Sequence, residues 1–381
     1  MLNRRQIRIR TMQALYAYEK ARGANYMISQ EMIETHFSPD LNSMEFQDKK
    51  LLEGKRKLGL SLLQEKVFPN QSEPSEPDDY TDEIRQAVSQ AYVSYLNRNK
   101  TDKEYILTRY PMLIEKVYDV YIFFLGLYLE IAKRSKAEKN PYYQSSLADN
   151  RMLIALAENP AFIDAQMRRN AQWDEEQALV NTFFKEAIVE NTRYIEYCMA
   201  ANHSREEDLA ILKYLVKNVF LKNETLGAYF DKYHLFWSED LEVLRAMVSH
   251  TFQPYIEEER IMLETLDNTW EENKNFFKTL FKKTIEDEKE LIDLLTPKLR
   301  NWEVERTAET DRILLKMAVT ELIEYPSIPV KVTINEIIEI GKNFSTEKSG
   351  TFINGVLDSL SKDLIESGQI KKSGRGMLDN K

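Results

Sequence analysis

The chain has 381 residues, of which 30% are charged, and its formal net charge is −10. Its 11 glycines and 11 prolines together amount to roughly half the share that globular proteins usually carry. Because long helices tolerate few residues of either type, and because no regular alternation of apolar and polar residues persists, the sequence predicts an all-α protein. The net negative charge argues against a nonspecific coat for nucleic acid.

Residues that could carry chemistry are sparse. Cys198 is the only cysteine, which excludes a disulfide within the chain and a zinc site built on cysteines. The segment from Gly54 to Ser61 lacks the Lys-Ser/Thr pair of a phosphate-binding loop. The histidines are scattered, and none has the spacing of zinc ligands: His36, His203, His234 and His250. We therefore expect no catalytic site, no metal site and no cofactor.

The most apolar run, Val117 to Ala132, contains Asp119 and Glu130 and is too short to cross a bilayer. Arginines occupy the stretch from Arg4 to Arg10, where the apolar core of a signal peptide would begin. These two observations predict a cytoplasmic protein that has no membrane partner.

Both ends of the chain are basic although the interior is acidic. The first 22 residues carry six basic residues and one acidic residue, and residues 371–381 carry four and one. Arg4, Arg5 and Arg8 lead into a helix, on which residues three or four apart share a face. Such an arginine-rich segment is typical of RNA recognition, although a solvated helix end is the alternative from the residues alone.

A long region of helical patterns follows, after Gly23 and Asn25, which we expect to end the first helix. Within it, the stretch from Pro69 to Tyr80 has three prolines, four acidic residues and no aliphatic side chain, so it predicts a linker. One later helix carries an aromatic stripe that we expect to be core: Tyr118, Tyr121, Phe123, Phe124 and Tyr128.

Apolar stripes return in the last third of the chain. Residues 273–295 carry one stripe, and Pro297 is expected to start the next segment. The members of that stripe are Phe276, Phe277, Leu280, Phe281 and Thr284. The long helix that follows is predicted to bury Leu314, Leu315, Ala318 and Leu322.

The stretch from Pro326 to Asp358 reads as two helices joined by a basic, hydroxyl-rich loop. Thr333 and Glu336 have the spacing of a capping box, which predicts a helix start at this point. Gly341 and Gly355 interrupt the apolar stripes of the two helices. Because a glycine costs about 1 kcal/mol in a helix interior relative to alanine, we expect close backbone approach at both.

This stretch resembles the NusB transcription antitermination family, through the run V-K-V-T-I-N-E-x-I-E-I-x-K-x-F-S and then K-S-G-x-F-I-N-G-V-L-D. The resemblance extends to Asp311 to Leu322 and returns near the N-terminus at Arg4, Arg5 and Arg8 and at Gln13 to Tyr16. The chain departs from the family at Gln6, where a third consecutive arginine is common.

The resemblance implies a NusB-like all-α fold of two helical sub-bundles, enlarged by an inserted helical region. Residues 1–22 with 272–366 would form the NusB-like core. Residues 23–271 would be the inserted helical region, with the acidic linker near 69–80, and 367–381 a basic flexible tail. The function of the inserted region does not follow from the resemblance.

The resemblance also implies a role in transcription. A NusB-like protein pairs with NusE, a small-ribosomal-subunit protein, grips the boxA segment of nascent ribosomal-RNA leaders and is tethered to RNA polymerase, which suppresses premature termination. The implied partner-binding residues are Tyr16 and Asp311. We further predict that the N-terminal arginines and the loop over 342–352 form one composite RNA surface. Arg4, Arg5, Arg8 and Lys342 would supply its charge, with Lys331 and Lys348 as further candidates, and Phe344 and Phe352 are candidate stacking residues. For Phe344 and Phe352, stacking on a base and packing in the core are both open.

Two other functions fit the same residues. The chain could be a helical protein–protein scaffold whose NusB-like core has lost RNA binding and whose insert binds a partner. It could also be the auxiliary domain of a ribosomal-RNA methyltransferase, since those enzymes carry NusB-like domains. The second is disfavoured because no methyl-donor loop or catalytic cysteine motif follows the core.

Overall fold

Helices dominate the structure, a computed structural model that describes residues 3–42, 44, 46–69, 81–264, 268–299 and 308–380. Across those ranges the backbone forms helices, turns and short connections, and no strand is present. The predicted all-α, NusB-like fold is confirmed. Residues 70–80 of the predicted linker lie outside the described ranges.

Helices succeed one another along the described residues. In chain order they are α1 (Arg4–His36), α2 (Lys49–Val67), α3 (Asp82–Ala137), α4 (Arg151–Ala157), α5 (Pro160–Arg169), α6 (Gln177–Phe183), α7 (Thr192–Met199), α8 (Arg205–Asn218), α9 (Glu224–Asp231), α10 (Trp237–Phe252), α11 (Tyr255–Glu258), α12 (Asn268–Glu286), α13 (Glu288–Leu299), α14 (Glu309–Glu324), α15 (Val330–Phe344) and α16 (Ser349–Glu366). Among the helices described, none combines the length and apolarity that a bilayer crossing requires.

The chain divides into two compact units. The core unit comprises Ile7–Tyr110 and Phe276–Lys381, and the insert unit comprises Met1–Gln6 and Pro111–Asn275. The passage between them falls inside α3 and again inside α12. The described residues within 23–110, which the sequence assigns to the inserted region, therefore belong to the same compact unit as the C-terminal helices. Where the family core begins and ends stays a prediction.

The core unit is built on α13, α14, α15 and α16, which pack against one another. The stripes predicted for this region are confirmed as buried, with Leu314, Ala318 and Leu322 all at 0% exposure. The expected segment start at Pro297 is wrong, because this proline lies inside α13.

The first helix does not end where the sequence predicts. Gly23 and Asn25 lie within α1, which continues to His36. Asn25 is buried, and its side-chain amide donates to Asn99 Oδ1 at 2.9 Å and Asp102 Oδ2 at 2.7 Å. Because these two acceptors on α3 satisfy the amide, Asn25 holds two helices together instead of ending one.

The continuation of α1 is stabilised by an apolar cluster with α2 and α3. Its members are all buried: Ile33, Phe37, Leu62, Leu63, Ile84, Ala87, Val88 and Ala91. Burial of such side chains contributes roughly 1.5–3 kcal/mol for each large one. A helix-terminating propensity of about 1 kcal/mol at Gly23 is therefore outweighed by tertiary packing.

The insert unit has an aromatic core. Phe124 of α3 is fully buried and stacks on Phe230 at 5.0 Å, Trp237 at 5.9 Å and Phe220 at 6.1 Å between ring centroids. The predicted stripe on α3 is thus confirmed as core. Offset and edge-to-face aromatic pairs of this kind add about 0.5–1.5 kcal/mol beyond the area that they bury.

The described part of the C-terminal segment contacts the end of α14, and the flexible tail over residues 367–381 stays a prediction. Lys372 Nζ donates to the carbonyl oxygens of Leu322 at 2.9 Å and Tyr325 at 3.1 Å. These carbonyls belong to the end of α14, where a helix lacks internal donors, so the lysine caps the helix. A short 3₁₀ helix, Gly374–Asn380, follows.

The two glycines of the C-terminal helices differ in their surroundings. A Cβ on Gly341 of α15 would lie 2.6 Å from Ile353 Cδ1 of α16 and 3.6 Å from Leu314 Cδ1 of α14. Close approach is therefore confirmed at Gly341. At Gly355 nothing lies within 4 Å of such a Cβ, so the expectation of close approach there is wrong.

This difference predicts unequal effects of the same substitution. Gly355→Ala should raise the free energy of unfolding by about 1 kcal/mol, since it gains helix propensity without a clash. Gly341→Ala should leave it unchanged or lower it by up to about 2 kcal/mol, because the overpacking cost of about 1–3 kcal/mol offsets or exceeds the same gain. Urea unfolding followed by circular dichroism measures both, and equal stabilisation by the two variants would contradict the packing described here.

Candidate nucleic-acid interface

One residue of the N-terminal arginine cluster, Arg8, is buried. Arg8 Nε donates to Glu321 Oε2 at 2.7 Å, and Arg8 Nη2 donates to Glu321 Oε1 at 2.6 Å. The side chains are 3% and 0% exposed, so this is a buried, bidentate ion pair. It joins α1 to α14, two helices whose paired residues are 313 positions apart in the sequence.

A third helix joins the pair. Thr333 Oγ1 of α15 donates to Glu321 Oε1 at 2.7 Å, and Glu336 Oε2 lies 3.8 Å from Arg8 Nη1. The capping box predicted for Thr333 and Glu336 is therefore wrong. The helix begins one turn earlier, after Pro329, and the two side chains face α1 and α14.

In this arrangement the Arg8 guanidinium does not reach a phosphate outside the protein. Its donors are engaged by Glu321, and Phe276 lies beneath it with its ring centroid 5.5 Å from Arg8 Cζ. Arg8 therefore anchors α1 in the structure, and its contact with RNA stays a prediction that requires Glu321 to release it.

The two preceding arginines belong to the insert unit. Arg4 Nη2 lies 4.0 Å from Glu272 Oε2, and the Arg4 side chain is 40% exposed. Arg5 is exposed. Both side chains thus have solvent access, in contrast to Arg8.

Ion pairs show that α1 runs antiparallel to α14. Arg8 meets Glu321 near the end of α14, whereas Lys20 pairs with Glu309 at its beginning. Since a helix rises 1.5 Å per residue, these two contacts are roughly 15–20 Å apart along α14. The core unit therefore has two distinct ends, which we name the Arg8 end and the Lys20 end.

The loop between α15 and α16 lies at the Lys20 end. Ser349 Oγ donates to Asp311 Oδ2 at 2.8 Å and accepts from the Thr346 N–H at 3.0 Å. Asp311 and Ser349 are buried, at 4% and 1% exposure. Asp311, a predicted partner-binding residue, thus fixes the loop to the start of α14 from inside.

The predicted lysines divide between the two ends. Lys331 is exposed at the start of α15, close to the Arg8 end. Lys342 and Lys348 are exposed at the Lys20 end, where Lys342 pairs with Glu339 at 2.7 Å. A Cβ on Gly350 would lie 3.1 Å from Lys342 Cγ, so the lysine stem covers this glycine closely.

The two predicted stacking residues also differ. Phe352 is 6% exposed and packs in the core, which decides between the two possibilities left open for it. Phe344, the last residue of α15, is half-buried and keeps part of its ring accessible. The Lys20 end therefore gathers Lys342, Phe344 and Lys348, and the structure does not bring Arg8 to them.

Tyr16, the other predicted partner-binding residue, lies toward the same end. It is 39% exposed, and Lys20 Nζ lies 5.0 Å from the centroid of its ring. The Lys20 contact with Glu309 holds this corner of α1 against α14. Tyr16 thus offers an accessible aromatic ring, whereas Asp311 acts from beneath the surface.

Glu321 is the residue that sequence reasoning missed. It falls on the apolar stripe of α14, seven residues after Leu314 and three after Ala318. A glutamate at such a position is almost never buried without a partner. That pattern alone could have pointed to a buried cation, although nothing in it selects Arg8. Among the described residues no cluster of histidine, cysteine and acidic side chains could hold a metal ion.

The helical fold and this site, which has exposed cations and aromatic rings on a fixed helical frame, define an all-α protein suited to binding. Residues 241–362 match the family model described as "NusB family". The chain belongs to the NusB family.

Three curated relatives, each named "Transcription antitermination protein NusB", support this. The protein of Salinibacter ruber is 42% identical over 105 residues, which are 28% of this chain and 66% of the relative. The protein of Chloroherpeton thalassium is 36% identical over 106 residues, which are 28% of this chain and 50% of the relative. The protein of Desulforapulum autotrophicum is 43% identical over 94 residues, which are 25% of this chain and 66% of the relative. The chain thus spans between half and about two thirds of these relatives. No solved structure matches it.

The buried pair predicts a large loss of stability when it is broken. Arg8→Met should lower the free energy of unfolding by about 3–5 kcal/mol, because Glu321 is left buried and unpaired. Adding Glu321→Met should recover most of that loss, since an apolar pair of similar volume is tolerated. Urea titrations of the wild type, of Arg8→Met and of the double variant measure these free energies of unfolding.

A surface pair supplies the control. Lys362→Met breaks the exposed contact with Asp358, at 2.8 Å, and should cost less than about 0.5 kcal/mol. If Arg8→Met costs no more than this variant, the buried pair does not stabilise the core unit.

Proposed function

We propose that the protein is a transcription antitermination factor. In this proposal it binds boxA-type single-stranded RNA in ribosomal-RNA leader transcripts together with NusE, joins the antitermination complex of RNA polymerase in the cytoplasm, and suppresses premature termination. Its membership of the NusB family and the names of its relatives support the general role. The RNA and the protein partners follow from the resemblance of the sequence motifs.

The Lys20 end carries the RNA-binding part of the proposal. Lys342 and Lys348 are exposed there beside the half-buried ring of Phe344. Single-stranded RNA is bound by cations at its phosphates and by aromatic rings that stack on its bases, so this group of side chains suits it. Ser349 and Asp311 fix the loop that bears Lys348, which reduces the entropy lost on binding.

The remaining predicted residues have secondary roles in the proposal. Lys331 would add favourable charge at the Arg8 end of the core unit, while Arg4 and Arg5, in the insert unit, keep the RNA-binding role predicted from the sequence. Tyr16, which is exposed near the same end, would contact NusE, while Asp311 would act through the loop that it holds. The protein would act by binding alone, without catalysis.

Charge reversal at the Lys20 end tests the proposal. Lys342→Glu with Lys348→Glu should weaken boxA binding by about tenfold or more, and should reduce the slope of log K against log salt by about 1.4, for two lost phosphate contacts. Fluorescence anisotropy titrations with boxA RNA and scrambled RNA, each with and without NusE, measure this.

The matched control is Lys57→Glu with Lys362→Glu, which makes the same change of net charge at exposed sites on α2 and α16. Affinity for boxA that falls equally in both double variants would show only a general charge effect and would contradict the proposed interface.

The scaffold function is the second candidate. It is favoured by one observation: residues Pro111–Asn275 form a compact unit with an aromatic core of their own. If the full chain binds NusE but neither boxA nor scrambled RNA, the scaffold replaces the antitermination factor as the better account.

A further inference from the structure

A second group of cations and aromatic rings lies in the core unit, away from the α15–α16 loop. It forms an open cleft of about 380 Å³ among α1, α2, α3 and the end of α12. Its lining includes Tyr18 and Arg22 of α1, Lys66 of α2, and Tyr92, Tyr95, Lys100 and Lys103 of α3. Most of these residues come from the part of the chain that the family resemblance does not cover.

The cleft carries an excess of positive charge. Four of its lining residues are basic, and Glu288 is the acidic one. Arg22 Nη1 lies 2.7 Å from Glu288 Oε2, and Lys103 Nζ lies 3.0 Å from Glu286 Oε1. These two cations are held in place by carboxylates. Among the described residues, Lys100 has a single ion pair, at 4.0 Å with the exposed Glu104.

Glu288 is itself engaged on its other side. Lys316 Nζ lies 2.6 Å from Glu288 Oε1 and 2.8 Å from Glu19 Oε1. Burial alone would raise the pKa of Glu288, but Lys316 and Arg22 lower it below its ordinary value. Glu19 Oε2 also lies 3.7 Å from Arg22 Nη1, so Glu19 and Glu288 together balance Arg22 and Lys316, and the remaining positive charge of the cleft is that of Lys66 and Lys100.

Lys66 is the least engaged cation. Its ammonium group is exposed and lies 5.6 Å from the centroid of the Tyr92 ring. Within the described part of the chain no carboxylate lies within 4.0 Å of it. A lysine held over an aromatic face and without an acidic partner can exchange solvent for a phosphate at little cost.

The tyrosines supply flat apolar surface beside these cations. Tyr92 is half-buried, and Tyr18 and Tyr95 are each 6% exposed at the floor. Burial raises the pKa of Tyr18 to about 12, so its hydroxyl stays neutral and adds no negative charge at physiological pH. Tyr26 backs the floor, with its ring 6.5 Å from that of Tyr95.

We propose that this cleft binds a nucleotide of single-stranded RNA, with a base against the accessible face of Tyr92 and backbone phosphates at Lys66 and Lys100. An acidic peptide would use the cations but not the ring, whereas RNA uses both. Arg22 lies two residues beyond Lys20 on α1, which is about 3 Å along the helix axis. The proposal rests on the RNA-binding function and extends it to flanking nucleotides.

Two RNA lengths separate the cleft from the boxA surface. The probes are fluorescein-labelled RNA limited to boxA, and the same RNA extended on each side by about ten nucleotides, within the usual range of site sizes. Lys66→Glu with Lys100→Glu should weaken binding of the extended RNA about tenfold, lower its salt slope by about 1.4, and leave the short RNA within about twofold.

A second variant isolates stacking. Tyr92→Leu should weaken binding of the extended RNA about fivefold or more while its salt slope stays unchanged, because no phosphate contact is lost. The matched control is again Lys57→Glu with Lys362→Glu in the full chain, and circular dichroism checks that each variant is folded.

The outcomes distinguish the two proposals. If the cleft variants bind the extended RNA as the control does, the cleft inference is overturned and the boxA proposal stands. If the wild type binds neither RNA, both fail. If the wild-type cleft binds polyglutamate and the charge-reversed cleft does not, while extended RNA is unaffected, the cleft binds acidic peptide and the inference is overturned.

Discussion

The buried pair between Arg8 and Glu321 is the interaction on which the core unit depends. The two side chains are almost inaccessible to water, so each charge requires the other, and the bidentate geometry fixes the position of Arg8 on α1 against Glu321 on α14. Thr333 shares Glu321 Oε1 and thereby ties α15 to the same point. A single carboxylate thus joins α1 to two consecutive helices near the other end of the chain, α14 and α15.

Because of this buried pair, the N-terminal arginines have two different roles that the sequence does not distinguish. Arginines near the N-terminus look alike in the sequence, yet Arg8 is buried while Arg4 and Arg5 have solvent access. With α1 held in this way, Lys20 meets Glu309, and the loop anchored by Asp311 is displayed at that end. The proposed RNA surface is thus the exposed Lys20 end of the core unit, whereas Arg8 and Glu321 are paired in its interior.

Patterns of local origin could be predicted from the sequence, and features decided by distant contacts could not. The apolar stripe of α14 and the aromatic stripe of α3 follow from helical spacing. Gly23 did not end α1 because apolar packing with α2 and α3 outweighs its propensity. Thr333 is not a cap because α15 begins at Val330, so Thr333 lies inside the helix, where its hydroxyl donates to Glu321. In the candidate site, the exposed lysines could be predicted, but the burial of Arg8 could not, because it depends on a partner more than 300 residues away.

The central claim is that RNA contacts the exposed loop of the Lys20 end while Arg8 stays paired inside. The most direct measurement is photo-crosslinking of boxA RNA that carries 4-thiouridine to the full chain, followed by peptide mapping. The account predicts adducts in the segment from Phe344 to Gly350. Adducts confined to residues Pro111–Asn275 would contradict it.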